Sequence, residues 1–397
     1  MAPSAEPSTF ITTSSSPNKH RVSSSLASTA YSQHKSLFFS LLPREVRDLI
    51  YLELWNTSSL RQHVTTDKTH ISAYPTPPPE SSESQAKEIS WRHVPCQTNP
   101  TAEDVRFDSF RDSRSGSREE AVWLIRLRSE WCLHWACEES TPQWTNTPRA
   151  ALLQRLAGEE EENGSGSVVA QNVYLNSETW GTARPTGFMN SLLACKRMYL
   201  ESLPSLYANT TFVFTDIGEA GSFLSIYGNQ RDEHGRELYP IRSLEICIRT
   251  TQLMTELYYP AAELGANDDG PPASFGDHSH PGLSIDNNPW KVLCDRLVEL
   301  PNLQSLRIWF DTRDLREWHK RVSETRFFAK LFDVRVGQKE RFVLALPSLP
   351  VVERRTLPVH HFLEGETLED APFVVVRGPR PNNWRVHLMA SGLRGSG

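Results

Sequence analysis

Three groups of side chains in this sequence are of the types that ligate metals or move protons. Asp277, His278 and His280 sit almost adjacent, and imidazoles beside a carboxylate are ordinary zinc ligands. Cys132, His134 and Cys137 offer two thiols and an imidazole. His360 and His361 with Glu364 make a third group. Each has a plainer reading. The first lies in a Pro/Gly loop and lacks a further ligand at helical spacing. The second is flanked by Trp131 and Trp135, so its spacing reads as one face of a helix, where Cys packs as a small hydrophobe. The third is similarly thin. A fourth group is basic: Arg313, Arg316, His319, Lys320 and Arg321 share a predicted helix with Trp318, a pattern that could grip phosphates and stack a base. Glu317 and Glu324 stand three or four positions from those bases and Asp314 is adjacent to Arg313, so the charges pair off and nucleic acid is not an expected partner. The sequence contains no Gly-x-Ser-x-Gly elbow, no Gly-x-Gly-x-x-Gly after a strand, no phosphate loop and no His-Glu-x-x-His. The expectation is a chain that is not an enzyme: no catalytic residue, no cofactor, no metal ligand and no evident small-molecule substrate.

Any such groups must be positioned by the elements around them. Order begins at Leu37-Phe38-Phe39, and Pro43 suits the first position of a helix because its missing N–H is not needed there. Val46, Ile50 and Leu54 recur every four residues with Leu49 beside them, which predicts an amphipathic helix of about three turns. Further on, Met189, Leu192, Leu193, Tyr199, Leu200 and Leu203 predict a helix that Pro204 should end or kink. Thr210–Phe214 reads as a strand. Asp216 and Glu219 have the spacing of a helix cap, and Ile241–Ile248 reads as a strand with Leu244, Ile246 and Ile248 on one face. Trp290, Leu293, Cys294, Leu297 and Val298 form a helical stripe, and Leu306, Ile308 and Phe310 alternate in a strand. Leu315, Trp318 and Val322 suggest a helix; Phe342–Leu346, Phe373–Val376 and Arg385–Leu388 are strand candidates. Strands alternating with helices favour a mostly parallel sheet, hence an α/β fold. Ser243-Leu244-Glu245-Ile246 and Ser305-Leu306-Arg307-Ile308 resemble each other and the strand of a leucine-rich repeat. Their separation far exceeds a regular repeat period of about 20–29 residues.

Composition sets the boundaries. The 397 residues carry a net charge of -6, with 38% hydrophobic residues and a mean hydropathy of -0.47. This argues for ordered and disordered parts and against a protein built around a polyanion. No apolar run approaches the roughly 18 residues of a membrane helix, so no membrane association is expected. The six cysteines are scattered and no secretory leader pattern opens the sequence, which leads to the expectation of a reducing, cytoplasmic or nuclear compartment. The Ser/Thr-rich residues 1–36 are expected to be a disordered tail. Residues 56–167 contain a Pro/Ser/Glu-rich stretch and a run of four glutamates before Asn163-Gly164-Ser165-Gly166. They read as a largely disordered insertion with a helix near 118–139 that carries Trp123, Leu124, Leu127, Trp131 and Trp135. Residues 168–390 read as the α/β domain and 391–397 as a tail.

One resemblance attaches to particular residues. Leu42-Pro43-Arg44-Glu45-Val46-Arg47-Asp48-Leu49-Ile50-Tyr51 resembles the opening of an F-box: Leu-Pro, a carboxylate, then an apolar helix. Taken with Leu192–Tyr199 and Leu203–Tyr207, the chain is similar to a large fungal group of F-box-like proteins with a domain of unknown function, akin to the two-EXR proteins. Glu45-Val46-Arg47 is one EXR triplet, and Cys195-Lys196-Arg197 stands where a second would fall. The resemblance covers roughly 37–55 and 186–250 directly and 290–346 loosely. It implies an F-box-like helix over 37–55 packed on the alternating helix–strand domain, and a protein-interaction role. Its implied partner is the small adaptor subunit of a ubiquitin ligase, gripped through Leu41, Leu42, Pro43, Val46, Leu49, Ile50 and Leu54 as a helix in a groove. The same stripe could pack instead on the chain's own helix around Leu192–Leu203. That reading makes the motif mainly architectural, and it ranks first because only one clear helix precedes the polar insertion.

Overall fold

The computed structural model describes residues 33, 35–66, 91–99, 104–114, 116–141, 143–158, 194–228, 239–250, 289–312, 323–348 and 362–378. Its frame is a seven-stranded sheet, mixed but mostly parallel, in the order β2-β1-β3-β4-β5-β6-β7. The strands are β1 (Arg61–Thr66), β2 (Trp91–Pro95), β3 (Thr211–Phe214), β4 (Ser243–Thr250), β5 (Ser305–Thr312), β6 (Phe342–Pro347) and β7 (Val374–Gly378). Only β1–β2 is antiparallel; the five other pairings are parallel. The expected α/β class is therefore present. The two similar tetrapeptides are neighbours in register, Ser243 beside Ser305, Leu244 beside Leu306, Glu245 beside Arg307 and Ile246 beside Ile308.

From β3 to β7 each strand lies next to its successor in sequence. Crossovers of one hand between adjacent parallel strands carry the chain over the same side each time, so the connecting segments collect on one face. That face is apolar. Phe212 and Phe214 of β3, Leu244, Ile246 and Ile248 of β4, Leu306, Ile308 and Phe310 of β5, and Phe342, Leu344 and Leu346 of β6 all join one buried cluster. The helices after β3 and β4 in sequence cover it with Ile217, Phe223, Leu224, Trp290, Leu293 and Leu297.

The helices are α1 (Leu37–Leu41), α2 (Arg44–Asn56), α3 (Arg106–Asp112), α4 (Arg118–Leu127), α5 (Trp135–Glu139), α6 (Pro148–Gly158), α7 (Lys196–Asn209), α8 (Ile217–Tyr227), α9 (Pro289–Val298) and the single turn α10 (Glu324–Phe327). The expected cap of α8 is formed, Asp216 Oδ1 accepting the Glu219 N–H at 2.9 Å. Pro204 neither ends α7 nor sits at its margin: the helix runs through it to Asn209. Proline deletes one backbone bond there, and packing of the flanking turns holds the rest. The helix opens on Cys195, whose sulfur accepts the Met198 N–H.

Two sequence expectations need correction. Residues 56–167, read as a largely disordered insertion, supply β1, β2, α3, α4, α5 and α6 among the described residues. Polar strand sequences such as Arg-Gln-His-Val-Thr-Thr over 61–66 hide the apolar alternation that marks a strand, and tertiary pairing overrides weak local preference. The single helix near 118–139 is broken: α4 stops at Leu127, Cys132 takes a positive φ of 52°, and a 3₁₀ turn (Cys132–His134) leads into α5. Val122 and Ile125 of α4 form a small core of their own with Trp144, Ala150 and Leu153. Several expectations fall outside the described residues: the Asp277–His280 loop, the helix around Trp318, His360 and His361, Leu192 and Leu193, and the strand at 385–388. Among the described residues no helix is long and apolar enough to cross a membrane.

Candidate functional site

Two places gather chemistry: the Leu-Pro helix and the sheet face opposite the main core. On α2 the buried ridge is Arg47, Tyr51 and Trp55, one position out of phase with the expected Val46, Ile50 and Leu54. All three face α7. Both Glu201 oxygens take the Arg47 guanidinium, and Oε1 also accepts the Tyr51 hydroxyl at 3.2 Å. Trp55 Nε1–H donates to Ser205 Oγ. Burial, followed by the Glu201 charge, pushes the Tyr51 hydroxyl well above its ordinary range, so it stays a donor. Met198, Tyr199 and Leu206 complete the contact. Aliphatic periodicity points one position away from this ridge, because Tyr and Trp bury more surface than an aliphatic side chain and Arg can bury its stem.

The opposite side of this helical pair is open. Leu41 is 70% exposed, Leu49 63% and Val46 39%, and Leu37 of α1 is 70% exposed. Pro43 is exposed, while Leu42, Ile50 and Leu54 are half-buried. The candidate contact residues thus divide, some lining the α7 joint and others facing out.

The second place lies beneath the chain that links α4 to α5. On this face β1, β3, β4 and β5 present His63, Val213, Glu245 and Arg307 in one rung, and β4, β5 and β6 present Cys247, Trp309 and Ala345 in the next. The broken segment covers them: Cys132 packs with Cys247, Trp309 and Ala345, while Trp131 and Cys137 pack with Val213 and Cys96. Arg249 holds the segment down by donating to the Ser129 carbonyl at 2.8 Å.

Within this seal four ligand-type side chains converge. One ring nitrogen each of His63 and His134 and the sulfurs of Cys96 and Cys137 all lie within 4.8 Å of one another, and all four residues are buried. Cys96 Sγ stands 3.4 Å from His134 Nδ1 and 4.0 Å from Cys137 Sγ. The other nitrogen of His134, Nε2, lies 3.2 Å from Glu245 Oε1. An ionised carboxylate only accepts, so Nε2 carries the proton there. Glu245 is also paired with Arg61. Gln97 N–H and Thr98 Oγ1 both reach Cys137 Sγ, at 3.3 and 3.4 Å. The His63 ring lies tilted against Trp131 with centroids 4.5 Å apart, and among the described residues its Nε2 is buried without a hydrogen-bond partner.

The electrostatics follow from those contacts. The Cys137 thiol is held well below its ordinary range: its hydrogen bond with Cys96 lowers it, against burial and with help from His134 and His63. Cys96 is pushed up by that same bond and by burial. Burial pulls His134 down, but the surrounding Cys247, Cys137 and Cys96 sulfurs lift it, net, well above the ordinary imidazole. Burial alone would raise Glu245; His134 and then Arg61 overcome it and hold the carboxyl at about 2. His63 is lowered, chiefly by burial.

Of the sequence-level trio, His134 and Cys137 converge and Cys132 does not. No metal ligand is expected from the sequence, whereas the fold assembles a ligand-type quartet. His63 and Cys96 were missed because they are remote: Cys96 is 38 positions from His134 and 41 from Cys137. Two signals were available, the His134-x-x-Cys137 spacing of one helical turn and a glutamate in the middle of a core strand.

A family model described as Domain of unknown function (DUF7730) matches residues 120–357. That span takes in His134, Cys137, Glu245 and α7, while His63, Cys96 and the Leu-Pro helix precede it. No curated protein and no solved structure matches the chain.

Proposed function

Because the chain belongs to the family described as a domain of unknown function (DUF7730), we propose its role from the geometry: a non-enzymatic protein-interaction module whose F-box-like helix is chiefly architectural. The observation that carries this is the joint between α2 and α7, where Glu201 receives both Arg47 and Tyr51. In this reading the arginine of the Glu45-Val46-Arg47 triplet is a structural clamp. The non-enzymatic part is supported by the sealing of the His/Cys/Glu cluster: a reaction centre needs a route for substrate, and each of these side chains is buried.

A second reading, the substrate adaptor of an F-box-type ubiquitin ligase, is favoured by one observation. With the helix anchored on its Arg47–Tyr51–Trp55 side, Val46 and Leu49 of α2 remain exposed beside Leu37 and Leu41 of α1. The pair on α2, three positions apart, is the start of the spacing a groove-binding helix presents. The test is a pull-down with the purified small adaptor subunit. Architecture alone predicts no adaptor binding by the wild-type chain, and a collapse of the α2–α7 joint in Glu201→Ala, read as a lower Tm. The adaptor reading predicts binding that Leu41→Asp and Leu49→Asp abolish with Tm unchanged. A Glu201→Ala variant as stable as wild type would contradict the architectural reading.

A further inference from the structure

We propose that His63, Cys96, His134 and Cys137 bind one structural zinc ion, which pins the segment between α4 and α5 to the polar face of the sheet. This inference is independent of the interaction reading above, since none of the four residues takes part in the α2–α7 joint.

Four features of the site meet there. The first is the donor set: two thiols and two imidazoles are the Cys₂His₂ complement that selects tetrahedral zinc over the hard, oxygen-seeking cations. The second is size. Zn–S bonds of about 2.3 Å and Zn–N bonds of about 2.0–2.1 Å set tetrahedral edges of about 3.8 Å for S···S and about 3.6 Å for S···N. The Cys96–Cys137 edge of 4.0 Å and the Cys96–His134 edge of 3.4 Å lie within a few tenths of an ångström of those lengths, and every other edge is no longer than 4.8 Å. The third is the surrounding shell. His134 donates its Nε2–H to Glu245, so Nδ1, which faces Cys96, is the nitrogen left for a metal to take in place of a proton. Such carboxylate–histidine pairs fix the tautomer of metal-bound imidazoles, and here the carboxylate is itself fixed by Arg61. Gln97 N–H and Thr98 Oγ1 supply the donors that a metal-bound thiolate at Cys137 accepts. The fourth is a pair of local costs. Among the described residues His63 Nε2 is buried without a hydrogen-bond partner, and Cys132 adopts a left-handed conformation unusual for a residue with a side chain. The kink at Cys132 ends the run toward α5 in the 3₁₀ turn that presents His134, with Cys137 three residues on.

His134 also lies within reach of Glu245 and Cys247. That trio is the poorer site: Glu245 is already neutralised by Arg61, and only three ligands meet. Loading the quartet with one Zn²⁺ displaces two protons to solvent, so that two thiolates and two neutral imidazoles face the ion. The site is then electrically neutral apart from the Glu245–Arg61 pair, as a sealed position requires. The ion's role is to close, between remote parts of the chain, a contact too small to persist on apolar area alone.

The experiment uses the full chain, purified without chelator. Metal analysis should find one zinc per chain. Replacement by Co²⁺ should give the intense visible d–d bands of a tetrahedral site and a near-ultraviolet sulfur-to-cobalt charge-transfer band. Cys137→Ser should lose the zinc, while Cys247→Ser, which removes a neighbouring sulfur outside the quartet, should keep it. Glu245→Gln should keep the zinc with affinity lowered roughly 10- to 100-fold. Because Cys137→Ser could unfold, the cobalt spectrum of the wild-type chain decides separately. A folded wild-type chain that takes up neither Zn²⁺ nor Co²⁺, or one whose mass shows a Cys96–Cys137 disulfide in place of metal, would overturn the proposal. So would zinc retained by folded Cys137→Ser.

Discussion

The two faces of the sheet are made by alternate residues of the same strands, yet they are held by different physics. In β4, Leu244, Ile246 and Ile248 enter the main core, while Glu245 and Cys247 face the segment between α4 and α5. The first face relies on burial of apolar area, which is non-directional and tolerant of small shifts. The second is polar and sealed, so each group needs a specific partner: His134 for Glu245, Arg61 for Glu245, Cys96 for Cys137. One face gains stability from many interchangeable contacts, and the other gains specificity from a few that are not. The pair of helices α2 and α7 repeats the contrast on a smaller scale, with one polar clamp among apolar contacts.

The comparison can be broken most forcefully on the apolar side. Phe310 is fully buried among Trp290, Phe327 and Phe328. Phe310→Ala should cost about 3–5 kcal/mol, measured by urea denaturation, and should leave zinc content per folded chain unchanged. Zinc loss in proportion to the stability change would show the two faces to be one cooperative unit. Trp55→Ala should cost nearly as much, about 3 kcal/mol, by emptying the α2–α7 joint.

Stripping metal from the polar face should act locally. Hydrogen exchange after chelation should accelerate at the amides of residues 129–139 while β4 and β5 keep their protection. Uniform acceleration across the sheet would contradict a local staple. The smallest effect belongs to the open side of α2: Leu49→Asp should change stability by no more than about 0.5 kcal/mol, because Leu49 is already exposed. A larger loss by thermal denaturation would mean that this side is covered in solution.

The same division governs what could be read from the sequence. The apolar face announces itself through period-two patterns, and Ser-Leu-x-Ile even marks two strands that pair in register. Asp216 marks its helix start because capping is a local interaction. The polar face depends on encounters that no short window contains, since His63, Cys96 and His134 come from β1, the end of β2 and a broken helix. The Leu-Pro helix was legible as a helix but not in its orientation. Its aliphatic stripe suggested the buried side, whereas Arg47, Tyr51 and Trp55 have a matched carboxylate and hydroxyl waiting on α7. The strands β1 and β2 were hidden by polar composition, and their pairing with the sheet supplies the order their own residues do not advertise.

X-ray absorption at the zinc edge of the chain as purified addresses the account most directly. The predicted first shell is two sulfurs at about 2.3 Å and two nitrogens at about 2.0–2.1 Å, with imidazole back-scattering beyond. A shell of oxygen and nitrogen alone, or no zinc at all in the folded protein, would contradict it.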